Sequence, residues 1–166
     1  MGTSRTYEDP CGIARALDHV GERWTLLVVR ELLLGPKRFT DLREGLPHAS
    51  KNVLSHRLDE LVDAGIVHQR QLAPPAHTWV YELTPRGKEL EPVLFALARW
   101  GSRAMPVPRG HLSPDALLFA LRTTLDPDRS RRTLLVVELR FDEERYRVEI
   151  DNSEVDIVRG PATDAD

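Results

Sequence analysis

Residues 50–66 read Ser-Lys-Asn-Val-Leu-Ser-His-Arg-Leu-Asp-Glu-Leu-Val-Asp-Ala-Gly-Ile, and this run decides the fold. Ser50 is a good N-cap for a helix from Lys51 to Ala64. Leu54, Leu58, Leu61 and Val62 give that helix one apolar stripe. Gly65 closes it as the residue past the C-cap, with Ile66 supplying the accompanying apolar contact. Directly afterwards the apolar period falls from 3.6 to 2. Val67–Leu72 and Thr78–Leu83 read as strands, the second with Trp79, Tyr81 and Leu83 on one face, and Ala73-Pro-Pro-Ala-His77 joins them as a hairpin tip.

Upstream, Gly35-Pro36 ends a helix from Glu22 to Leu34 that is apolar most of the way round and so belongs in the middle of a domain. Before it, Cys11–Val20 is a shorter helix carrying Ile13, Leu17 and Val20 at i, i+4 and i+7. Thr40 caps a short helix, Asp41 to Gly45, which Leu46-Pro47 terminates. Downstream, Thr84-Pro85 gives a cap with proline at the first helical position. It opens a long helix to about Ala104 with the stripe Leu90, Val93, Leu94, Leu97 and Trp100; Pro92 removes one backbone bond and bends it. Pro106, Pro108 and Gly110 make a linker. Ser113-Pro114 repeats the cap before a helix from Asp115 to Leu125, followed by strands Thr133–Phe141, Arg145–Ile150 and Val155–Arg159 in meander spacing. Asp142-Glu143-Glu144 and Asp151-Asn152-Ser153 serve as the turns between them.

The expected class is α+β: a winged helix-turn-helix with a long dimerisation helix, then a small helix with a three-stranded antiparallel meander. The expected divisions are 1–105, a linker at 106–112, and 113–166.

Helix, turn, capped helix and hairpin in this order suit a reader of double-stranded DNA, whose major groove admits one rigid helix. At about 100° per residue, the face opposite Leu54, Leu58 and Leu61 centres on Asn52 and His56, flanked by Ser55 and Val53. Asn and His can bond base edges, and Val53 suits a thymine methyl. Ser50 stands at the entry to this helix, and Lys51 and Arg57 lie nearer its sides, suited to phosphates. Lys37 and Arg38 precede the short helix that would cross the backbone. His68 and Arg70 lie on the hairpin, where a wing reaches the minor groove or its phosphates.

The net charge of −3 divides unevenly, +2 over residues 1–110 and −5 over 111–166, which marks two electrostatically different modules. The single Cys11 excludes an internal disulfide and fits a reducing compartment. No apolar run approaches the ~20 residues of a bilayer span, and no secretory signal is visible, so a cytoplasmic protein without a membrane partner is expected. A Gly-rich phosphate loop, H-E-x-x-H and G-x-S-x-G are all missing. The six His, at 19, 48, 56, 68, 77 and 111, lack metal-ligand spacing. The expectation is no enzyme, no catalytic or metal site, and no cofactor. The rival reading is a winged helix that binds only protein.

The run Cys11–Gly21, then Arg23-Trp24-Thr25-Leu26-Leu27, Arg30-Glu31-Leu32, Gly35, Arg38-Phe39 and Asp41-Leu42 resembles the HxlR-type bacterial regulators. So do Leu54, Leu58, Leu61, Gly65-Ile66-Val67, Pro74-Pro75, Tyr81, Leu83-Thr84, Gly87-Lys88, Leu90, Pro92-Val93-Leu94 and Trp100-Gly101. The resemblance spans residues 10–104 and implies a MarR-like homodimer on a palindromic operator, each Lys51–Ala64 helix reading one half. It implies a dimer contact from the first helix (Ile13, Leu17) and the helix after the wing (Leu90, Leu94, Leu97, Trp100). The family often has Arg just after the wing's Pro-Pro; Ala76 and His77 stand here, making His77 the wing-tip contact and wing binding weaker or pH-sensitive. Cys11 occupies the position of a cysteine that some members use to sense oxidants or electrophiles, so it is a candidate sensor beside a structural role. Residues 113–166 resemble the first half of a sterol carrier protein-type domain, which implies an apolar small-molecule effector beside the alternative of a structural annex.

Overall fold

A computed structural model describes residues 6–73, 76–103, 110, 112–124, 134–142, 144–151 and 154–162. Pro74-Pro75, the linker prolines 106 and 108, the helix end at Leu125 and the turn residues Glu143, Asn152 and Ser153 lie outside them. The chain divides into two compact units, Met1–Glu91 and Pro92–Asp166.

The first unit runs α1 (Gly12–Val20), α2 (Thr25–Leu32), α3 (Phe39–Gly45), α4 (Lys51–Asp63), β1 (Val67–Gln71), β2 (Trp79–Leu83) and α5 (Pro85–Lys88). Its core is Val28, Val29 and Leu32 of α2, Leu42 of α3, Leu54, Leu58 and Leu61 of α4, and Val67, Val80 and Leu83 of the hairpin. β1 and β2 pair antiparallel, Val67 opposite Leu83 and Gln71 opposite Trp79. Lys37 adds a short bridge on the far side of β2, opposite Tyr81. Gly65 adopts φ +67°, the left-handed turn that glycine allows without a Cβ penalty, so that the Ile66 N–H donates to Leu61 O at 2.9 Å.

The largest differences from the sequence expectation lie at three helices; β4 also takes in Glu144 and Asp151, which were expected in turns. The second helix begins at Thr25 because Trp24 takes a left-handed conformation at φ 79°. The third begins at Phe39, since the Asp41 carboxylate accepts the Arg38 N–H and closes the first turn; Thr40 lies inside the helix instead of capping it. The long helix expected after Thr84 is two pieces. α5 ends at Lys88, whose carbonyl has no N–H to bond at Pro92, and α6 (Glu91–Gly101) starts anew. Val62 is exposed: it sits at the margin of the α4 stripe, about 80° from Leu54.

The second unit holds α6, α7 (Pro114–Thr124) and an antiparallel sheet of β3 (Leu134–Phe141), β4 (Glu144–Asp151) and β5 (Glu154–Arg159), in the order β3-β4-β5. Ser113 Oγ accepts the Ala116 N–H and caps α7. Phe95 of α6 stacks on Phe119 of α7 with ring centroids 4.9 Å apart. Asp115, buried at the start of α7, accepts two 2.8 Å hydrogen bonds from Arg159 of β5 and one from the Tyr146 hydroxyl of β4. Burial and the Asp115 charge push the Tyr146 hydroxyl far above the usual tyrosine pKa, against the opposing pull of Arg159.

Candidate nucleic-acid interface

The α4 helix starts where its cap places it. Ser50 Oγ accepts the Val53 N–H at 3.3 Å, and Leu54, Leu58 and Leu61 are fully buried. That anchoring leaves the opposite face open: Ser50, Lys51, Asn52, Val53, Ser55 and His56 are all exposed. His56 Nε2 lies 3.2 Å from the Glu60 carboxylate, one turn on. The structure therefore brings the expected base-reading residues together on one rigid helical face.

The expected phosphate contacts fare differently. Lys37 is 4% exposed, and its ammonium donates to the Glu31 carboxylate at 2.6 Å. A cation held this way inside the protein cannot meet a phosphate without breaking the pair, so Lys37 is removed from the surface set. Arg57 is mostly buried and reaches Glu60 at 2.5 Å and Glu22 at 3.7 Å. It ties α4 to the segment before α2. Arg38 is exposed, its guanidinium paired with Asp41 at 2.6 Å. Burial tends to raise the Asp41 pKa, but the Arg38 hydrogen bonds and charge, with help from Thr40, outweigh it and leave the carboxyl below its ordinary range.

On the wing, Arg70 and His68 both turn to Glu82. His77 is exposed at the tip, its carbonyl accepting from Gln71 Nε2 at 3.0 Å. The sequence reading passed over these carboxylates. Glu60 carries a signal, since it stands at i+4 from His56 and i+3 from Arg57. Glu82 faces His68 directly across the hairpin, which becomes visible only once the register is known.

Cys11 is exposed at the N-cap of α1. On α1, Ile13 and Leu17 are exposed; on α6, Leu97 and Trp100 are exposed and Val93 joins them. Leu90 is half-buried, while Leu94 is 5% exposed and absent from the outer stripe of α6. No His, Cys, Asp and Glu group among the described residues could hold a metal ion, and no helix among them is long and apolar enough to cross a membrane.

Residues 19–108, just over half of the chain, match the family described as HxlR-like helix-turn-helix. The chain belongs to this family. Among its relatives, the uncharacterized HTH-type transcriptional regulator Rv3095 of Mycobacterium tuberculosis is 37% identical over 100 residues, 59% of this chain. The chain spans only 61% of that relative's length. The uncharacterized HTH-type transcriptional regulator YvaP of Bacillus subtilis is 38% identical over 89 residues, covering 53% of this chain and 82% of the relative. Among solved structures, the redox regulator HypR in its oxidized form aligns at a TM-score of 0.54 and 30% identity, over 58% of this chain and all of HypR. The relatives are named as HTH-type transcriptional regulators, and the α3-α4-hairpin order of this chain is the winged helix-turn-helix that an HxlR-like family member carries.

Proposed function

We propose that this HxlR-type regulator acts as a homodimer on a palindromic operator, each protomer inserting α4 into a major groove. The observation that carries the reading is the α4 face itself. A buried leucine stripe fixes the helix while Asn52, Ser55 and His56 are exposed on the opposite side, with Lys51 at the N-terminal turn. Asn bonds adenine edges, and Ser and His supply further donors and acceptors at major-groove depth. The exposed Ile13 and Leu17 on α1, and Leu97 and Trp100 on α6, support dimerisation through apolar stripes that water disfavours. Trp100, at 75% exposed, is the largest of them.

Selection of bound duplexes from a random pool tests the proposal. A palindromic site with half-sites about one helical turn apart is expected, with affinity falling steeply as salt rises. A protein-only module gives neither a selected site nor a salt slope.

Control through Cys11 is the finer part of the proposal. It rests on the thiol's exposure at a helix start and on the likeness to a protein named as a redox regulator. A Cys11→Ser protein that still releases its operator on treatment with diamide removes this element. Binding of an apolar effector by residues 113–166 rests on the sequence resemblance alone; fatty-acid titration with a thermal-shift readout tests it.

A further inference from the structure

Lys37 and Tyr81 exchange backbone hydrogen bonds at 3.0 and 2.8 Å, so they are directly opposed residues whose side chains share one face of the small sheet. The Lys37 side chain runs to Glu31 on α2, which shows that this face looks onto the helices. Trp79 is two residues from Tyr81 along β2 and therefore on the same face. Gln71, opposite Trp79, and Gln69, opposite Tyr81, share it. His68, Arg70 and Glu82 fall on the other face, where they pair with one another.

The wing packs beside α4, which touches β1. Asp59 is seven residues from Asn52, two turns along the same stripe, and is exposed. The Tyr81 hydroxyl is pushed above the ordinary tyrosine pKa, first by burial and then by the Asp59 charge, consistent with the two elements lying side by side. At the outer end of this wall stands Trp79, 56% exposed although its neighbours Val80 and Leu83 are buried. Its indole offers a flat apolar body and one N–H donor at the end of the face that carries Tyr81 and Gln71.

We propose that Trp79, with Gln71 beside it, is the wing's contact with duplex DNA. The flat indole packs against a deoxyribose at the minor-groove wall next to the groove that α4 enters. Its Nε1–H and the Gln71 amide donate to acceptor atoms at the groove edge. Arg70 and His68 take no leading part, because Glu82 on their own face holds both. The wing contact is therefore largely uncharged. The inference rests on α4 being the DNA-reading helix.

The test uses the full chain and a duplex selected by the parent protein, with affinity measured by anisotropy over a range of salt. Trp79→Ala should weaken binding about tenfold, in line with the weight of aromatic packing on nucleotides. The slope of affinity against salt should stay unchanged, since no phosphate charge is lost. Trp79→Phe should recover part of the loss, and Arg70→Ala should cost less than Trp79→Ala. A parent that binds while Trp79→Ala and Trp79→Phe bind within twofold of it overturns this inference alone. So does a loss of affinity that sedimentation traces to a changed oligomeric state, which assigns Trp79 to an interface between copies. A parent that binds no duplex overturns the reading of α4 and this inference with it.

Discussion

The Glu31–Lys37 pair offers a quantitative test of how the first unit is held. Glu31 is fully buried on α2, and its carboxylate meets Lys37 at 2.6 Å and Arg30 at 2.7 Å. A Cβ on Gly45 would collide with the same carboxylate, so the end of α3 is shaped around it. Replacing Lys37 by Met leaves a buried carboxylate with a weakened set of partners. Removing one member of such a pair costs about 3–5 kcal/mol. Arg30 remains and is partly open to water, which places the expected loss near the lower end, about 3 kcal/mol. With a urea dependence of about 1.5 kcal/mol/M, the midpoint should fall by about 2 M. The assay is urea unfolding in a Trp100→Phe background, so that Trp24 and Trp79 report on the first unit. Glu31→Met combined with Lys37→Met should recover part of the loss, because two apolar side chains avoid the desolvation of both ions while Arg30 is left without its carboxylate partner. The salt slope of DNA binding should be the same for Lys37→Met and the parent, whereas a lost phosphate contact lowers it by about 1. A Lys37→Met protein within about 0.5 kcal/mol of the parent, or a slope that drops by about 1, refutes the interior placement of this lysine.

Three further outcomes follow from named contacts. Ser50→Ala removes the acceptor for the Val53 N–H at the start of α4 and should cost about 1 kcal/mol in urea unfolding, with weaker operator binding as the first turn frays. Asp41 has a folded pKa below its ordinary value, so its contribution to stability is present above the ordinary carboxylate pKa and is lost as acid carries the pH down through the folded one. Asp41→Asn should flatten that limb of the stability–pH curve, and an unchanged limb counts against the Arg38 pairing. Tyr146 has the opposite sign: its folded pKa is raised, so its contribution is full below the ordinary tyrosine pKa and declines as the pH climbs past it. Tyr146→Phe should make the second unit less sensitive to alkali in thermal melts near pH 11, and equal sensitivity contradicts the burial of that hydroxyl beside Asp115.

Local signals carried most of the fold. Ser50, Gly65 and the change of period at Val67 placed α4 and the hairpin to within a residue or two, because caps and periodicity act over a few residues. Ser113 and the spacing of the strand and turn segments did the same for α7 and the meander. What escaped was set by distant partners. Lys37 looked like a surface cation beside Arg38 until Glu31, six residues earlier on a buried helix, claimed it. Arg57 lay at the side of α4 as expected, but Glu22 and Glu60 hold it there. Periodicity grouped Trp79 with Tyr81 and Leu83 correctly, yet could not show that the strand's outer end runs past the core and leaves the indole open. The break between α5 and α6 was foreshadowed by Pro92, whose effect was larger than a bend.

Repeating the duplex selection with Asn52→Ala and His56→Ala, beside the parent, puts the reading of α4 to its most direct test. Each variant should keep its fold and its sequence-independent affinity, and should lose base preference at one or two symmetric positions of the site, by about 1–3 kcal/mol per base pair. Identical selected sites from parent and both variants would mean that some other surface reads the operator.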